Sequence, residues 1–141
     1  MLTLLCNKIL FMELGNALNW FEIPVSDFAR AKKFYESIFN YQMPESKIGD
    51  ATMGFLLFDF EGGKVGGAIV HYPGFHKPSS DGALIYLNCN PDLQTVLDRV
   101  EKAGGKILST KKTVANDQEH LGYWAAITDT EGNRIALHSG K

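Results

Sequence analysis

The sequence predicts an α+β fold built from two strand–helix–three-strand (βαβββ) modules, about 16–75 and about 82–140. Three observations carry this. A short apolar strand runs directly into an amphipathic helix twice. The two copies keep their spacing, since Ile23-Pro24-Val25-Ser26 lies 64 residues before Leu87-Asn88-Cys89-Asn90. Near the ends of the halves, "AIVHY" lies 67 residues before "IALHS". A repeat of this length marks a duplicated supersecondary unit, and two such units pair their sheets into one curved surface with the helices outside.

In the first strand, "NWFEIPV", Phe21, Ile23 and Val25 share one face and Trp20, Glu22 and Pro24 the other. The helix that follows covers the bulkier face. Ser26 or Asp27 caps it, and Phe28, Ala31, Phe34, Tyr35, Ile38 and Phe39 recur at helical spacing. Pro44 and Gly49 punctuate the next stretch. "ATMGFLLFDF" and "GGAIVHY", divided by Glu61-Gly62-Gly63, read as strand, turn, strand. The ten residues "PGFHKPSSDG" are turn formers and mark a boundary between the halves or a flap.

The second half repeats the plan. "ALIYLNC" alternates as a strand, and Asn90 with Pro91 caps and starts a helix buried through Leu93, Val96, Leu97 and Val100. Ala103-Gly104-Gly105 ends it, because glycine takes a left-handed cap without strain. Strands "KILSTKKTV", "LGYWAAITD" and "NRIALHS" follow, with Thr130 to Asn133 turning the last pair.

A chain of 141 residues, 45% hydrophobic, suits one compact domain over 16–141, burying roughly two-thirds of its unfolded surface. A net charge of −2 leaves no basic footprint, so no nucleic-acid partner is expected. Residues 1–15 read as an N-terminal extension, with Met12 a candidate start of the domain proper; a short element packed on the body is the alternative. "MLTLLCNKILF" is apolar, yet no cation precedes the run, Lys8 interrupts it and no small-residue cleavage site follows. Leu5 also sits where a lipoprotein reading of Cys6 would want a small residue. No stretch is long enough to expect a membrane span. Two cysteines are too few for a disulfide framework, and Cys89 reads as a core hydrophobe. The expected compartment is cytoplasmic.

Three segments then make the sequence resemble a known family: "EIPVSDFARAKKFYESIF", "LIYLNCNPDLQTVLDRVEKAGG" and "GYWAAITDTEGNRIALHS". Their order and spacing, over about residues 17–139, are similar to the vicinal-oxygen-chelate superfamily of glyoxalase I, bleomycin-resistance proteins and extradiol dioxygenases. "WFEIPV" early and "DTEGN" late are similar to its glyoxalase-related single-domain group. The resemblance implies a half-open curved sheet, helices on the convex side and a ligand cavity on the concave side. Trp20, Glu22 and Pro24 then face the cavity. Leu84, Tyr86 and Asn88, Ile69 with His71, and Arg134, Ala136 and His138 are expected there too.

Metal-dependent relatives place one His or Glu on each of four strands. Carried over, those sites fall on Trp20, Ile69, Leu84 and Ala136, none of which ligates a divalent ion. No metal and no cofactor are therefore expected, which argues against glyoxalase I, dioxygenase and fosfomycin-transferase chemistry. Glu22, His71 and His138 remain as candidate catalytic residues, a general acid–base set. A displaced metal site of the same three residues, or strand-end histidines bonding backbone, are the alternatives. Trp20, Tyr86, Asn88, Trp124 and Arg134 are the candidate ligand-binding residues, with Arg134 the expected partner of Glu22. His76 and His120 lie in polar loops and read as solvated. Two functions fit: a metal-independent lyase or isomerase of a small metabolite, or a non-catalytic binder of a drug or metabolite. A homodimer is the expected assembly, with a small molecule as the other partner.

Overall fold

In the computed structural model residues 15–116 and 118–141 are described. Apart from Gly15, the expected N-terminal extension lies outside the described residues. The first module comprises β1 (Trp20–Pro24), α1 (Phe28–Phe39), β2 (Glu45–Ile48), β3 (Ala51–Phe55) and β4 (Gly66–His71). The second comprises β5 (Ile85–Asn88), α2 (Leu93–Val100), β6 (Lys106–Thr113), β7 (Tyr123–Thr128) and β8 (Arg134–Ser139), with a 3-10 turn at Glu119–Leu121. Each module makes a four-stranded mixed sheet, ordered β1-β4-β3-β2 and β5-β8-β7-β6. This is the α+β two-module fold expected.

Asp27 caps α1 by accepting from the Arg30 N–H (3.0 Å), and the helix ends at Asn40 in the left-handed region, which asparagine tolerates. The cap of α2 is Asp92, not Asn90; its carboxylate takes the Gln94 N–H while Asn90 accepts from Gly140 (2.7 Å). All four expected positions on α2 are buried, as are Ala31, Phe34, Tyr35 and Ile38 on α1. β2 carries no hydrophobic signal, because all four of its residues are exposed. It exists through hairpin pairing with β3, from Glu45–Gly54 to Ile48–Ala51.

One expectation fails by a single residue. β1 pairs Ile23 with Ile69 and β5 pairs Leu87 with Leu137. The first strands are thus 64 residues apart, but β4 and β8 are 68 apart, not 67. A slip of one flips every side chain to the other face. Ile69 and His71 therefore lie on the helix side with Ile23 and Val25, and Ala68 and Val70 face the concave side. "GGAIVHY" hid this because it is buried on both faces and shows no alternation.

The main core joins both modules: Ile23, Phe34 and Ile69 pack in one cluster with Leu87, Leu97 and Leu137. A smaller cluster, Ala51, Met53, Ala68 and Val70 with Phe55 and Tyr72, fills the concave face of the first sheet. The modules are locked together by the turn between β7 and β8. Asp129 is buried and accepts from the Tyr35 hydroxyl (2.7 Å) and the Asn133 amide (3.0 Å). Asn133 also donates to the Pro24 carbonyl (2.7 Å), and its Oδ1 accepts from the Ser79 N–H (3.1 Å). The wholly buried Glu131 side chain accepts from the Ser26 and Asp27 N–H groups (3.0 and 2.7 Å) and from both sides of the Arg30 fork (2.8 and 3.1 Å).

Burial alone would raise the Glu131 carboxyl, but the Arg30, Asp27 and Thr130 hydrogen bonds outweigh it and hold the group below its ordinary value. A depressed folded value contributes stability that is complete above the unfolded value, about pH 4.3, and is lost as pH falls through the folded one. Glu131→Gln is expected to cost about 2–3 kcal/mol in urea unfolding near neutral pH, because the Arg30 fork and two N–H groups lose their anion. The variant's stability should also fall less steeply in acid than the parent's. Parallel acid limbs would assign the lock to other contacts.

Candidate functional site

The concave face holds most of the side chains the sequence placed there. Trp20 packs edge-on against Phe55 and Phe58, at 6.2 and 5.8 Å between ring centroids, and is otherwise exposed. Tyr86 is 56% exposed and Asn88 is exposed beside it, on the face shared with Ala136 and His138. Trp124 pairs with His138 across β7 and β8.

The three candidate catalytic residues do not converge. Glu22 is partly exposed, and its partner is His76 (3.4 Å), not Arg134. His71 lies through the sheet from Glu22, with Nδ1 at 3.0 Å from the Val25 carbonyl. His138 sits in the other sheet, Nε2 at 2.8 Å from the Leu121 carbonyl. Its counterpart in the repeat is Val70, so the two histidines are not equivalent. Among the described residues no three His, Cys, Asp or Glu side chains come together in a metal-binding group. With the register corrected, the family's metal positions carry Trp20, Ala68, Leu84 and Ala136. Indole and aliphatic groups offer no donors, so these residues do not fit a divalent ion.

Glu22 and Arg134 do line one small cleft of about 160 Å³, together with Lys77 and Ser79 from the loop after β4. His76, which the sequence reading set aside as solvated, anchors that loop. Its ring packs edge-on against Phe75 at 4.5 Å between centroids, with Tyr72 at 6.5 Å. The signal was present in the loop's paired aromatics, but only the fold shows that they bend back to Glu22.

A larger cleft, about 500 Å³, opens at the other end of the junction between the modules. Phe21, Phe39, Leu56 and Phe58 form its apolar walls, and Asn88, Asp92 and Arg99 stand among its polar lining. Gly66 and Gly67 make the room. A Cβ on Gly67 would lie 2.5 Å from the Phe21 ring, and one on Gly66 would run into Phe58. Two glycines inside an apolar strand are a sequence sign of such close approach. Lys111 bonds Asp92 at 2.7 Å and holds it below the usual carboxylate range, aided by the Gln94 N–H. Burial pushes the Cys89 thiol, also on this wall, up to about 12, so it stays protonated and unreactive. Gly67→Ala is expected to force Phe21 into the cleft and cost about 1–3 kcal/mol in thermal or urea unfolding. Unchanged stability would mean that Phe21 moves freely and does not define the wall.

Comparisons with known proteins agree with this geometry. The family model described as Glyoxalase/Bleomycin resistance protein/Dioxygenase superfamily matches residues 17–137. A "Glyoxylase-like domain-containing protein" from Didymella fabae is 31% identical over 134 residues, covering 89% of this chain and 95% of that one. A variant of glyoxalase I from Zea mays superposes with a TM-score of 0.66 at 20% identity, over 87% of this chain but only 46% of the maize protein. This chain thus spans about half the length of that enzyme. TnmS3, an antibiotic binding protein from Streptomyces sp. CB03234, superposes with a TM-score of 0.59 at 20% identity, covering 88% of this chain and 95% of that one. The segments that carry the match are those that build the two βαβββ modules and their junction, and the chain belongs to the Glyoxalase/Bleomycin resistance protein/Dioxygenase superfamily.

Proposed function

We propose that this protein is a non-catalytic small-molecule binder, a cytosolic homodimer that holds an apolar ligand in the 500 Å³ cleft without a metal at the family positions. The cleft itself carries the reading. Its volume lies within the range of drug-sized ligand sites, roughly 300–1,000 Å³, and it pairs aromatic walls with a few polar groups. The scattering of Glu22, His71 and His138 weighs for binding over turnover. The antibiotic-binding relative on the same fold supports it by analogy. The exposed β2 edge and the exposed Leu57 and Phe60 favour pairing of two chains.

A native mass spectrum tests the binding, the assembly and the metal together. The expected species is a dimer, retaining or accepting an apolar small molecule and carrying no stoichiometric divalent ion. Thr95→Trp, which fills the cleft from its exposed rim, should abolish uptake while leaving the thermal midpoint within a few degrees. Uptake unaffected by Thr95→Trp would place the ligand elsewhere.

One observation favours a second reading, a metal-independent lyase or isomerase. Glu22 and His76 stand within hydrogen-bonding reach at the small cleft, a carboxylate–imidazole pair suited to moving a proton. On that reading Glu22→Gln and His76→Gln each lower turnover of a ligand found by mass spectrometry about 100-fold or more. No turnover by the parent protein would remove it.

A further inference from the structure

The two clefts lie at ends of the junction related by the internal repeat, and the larger one is where the repeat lacks the lock. Counting outward from the paired residues Gly54–Ile69 and Ala125–Leu137, Phe58 stands where Asp129 stands and Val65 where Asn133 stands. Counting from the helix caps Asp27 and Asp92, Thr95 replaces Arg30 and Val100 replaces Tyr35. Asp129, Asn133, Arg30 and Tyr35 of the clamp thus each have an apolar or uncharged counterpart. The acids of the longer turn after β3 do not take over: Asp59 accepts from the Gly62 N–H of its own turn (2.8 Å), and among the described residues no side-chain hydrogen bond joins that turn to the start of α2. The crevice stays open there and its walls are hydrocarbon.

The same count puts Arg99 in the place of Phe34. Phe34 fills the core; Arg99 lines the cleft. Its Nη1 donates to the Ile38 carbonyl (3.1 Å), and among the described residues it has no carboxylate partner. Among the described residues the only acid lining the cleft, Asp92, is occupied by Lys111. A partly buried guanidinium with unused donors beside apolar walls matches a carboxylate through its planar fork.

We infer that the cleft takes small aromatic or alicyclic carboxylates, with the ring against Phe21 and Phe58 and the carboxylate on Arg99. This rests on the cleft being the ligand site. The two claims separate in calorimetric titrations with 2-naphthoate and its neutral isostere 2-naphthamide. The parent is expected to bind the naphthoate about tenfold or more tightly than the amide, the scale of one charged hydrogen-bonded pair. Arg99→Met should bind both alike, at the amide's affinity, and Arg99→Lys should fall between. The unfolding midpoint of each variant confirms that it is folded, and Arg99→Lys keeps the test open if the methionine variant is not. If the parent binds both compounds equally and Arg99→Met changes neither, the carboxylate assignment is overturned and the apolar site stands. If Thr95→Trp leaves naphthoate binding unchanged, or the parent binds neither compound at millimolar concentration, both claims fall.

Discussion

The turn Asp129–Asn133, gripping the start of α1, is the constraint on which the rest of the molecule depends. It presents two carboxylates and an amide to the other module, all buried, and each finds its partners. Among the described residues no buried side-chain nitrogen or oxygen is left without one. A buried carboxylate is costly unless its oxygens are satisfied, so the network tolerates only one relative placement of the two modules. The helices then sit side by side over a shared core, and β1 and β5 face one another across the junction without being hydrogen-bonded neighbours.

Because the fold is a duplication, the same junction occurs twice, and only one copy is locked. The turn after β3 offers Phe58 and Val65 in place of acid and amide, so that end parts into a cleft. The locked end gives rigidity and leaves only a small crevice beneath the loop held by His76. The open end has aromatic walls resting on Gly66 and Gly67, and a cation in a position that the other module uses for core. One stabilising device, present on one side and absent from the other, accounts for both the compactness of the domain and the place where the cleft opens.

Much of this was legible in the residues. The stripe of α2 and the cap of α1 follow from side-chain chemistry and spacing, and the order of elements repeats visibly. The failures share a cause. β4 is apolar on both faces, so alternation could not tell Ile69 from Ala68, and the misplaced His71 followed from it. β2 is exposed along its whole length and exists only through its partner strand. The pairing of Glu22 with His76 joins residues 54 positions apart and depends on how a ten-residue loop folds back. The 500 Å³ cleft is a property of two modules meeting, although the glycine pair and the weakened turn were its written traces.

The central claim is that ligand enters where the lock is missing. Chemical-shift mapping of isotopically labelled protein during titration with 2-naphthoate tests it most directly. The account predicts saturable shifts at the amides of Phe21, Gly66, Gly67 and Cys89 and at the Arg99 side chain, with Glu22, His76 and Arg134 unmoved. Shifts confined to Glu22, His76 and Arg134, or spread over the concave face at Ala68 and Ala136, would contradict it.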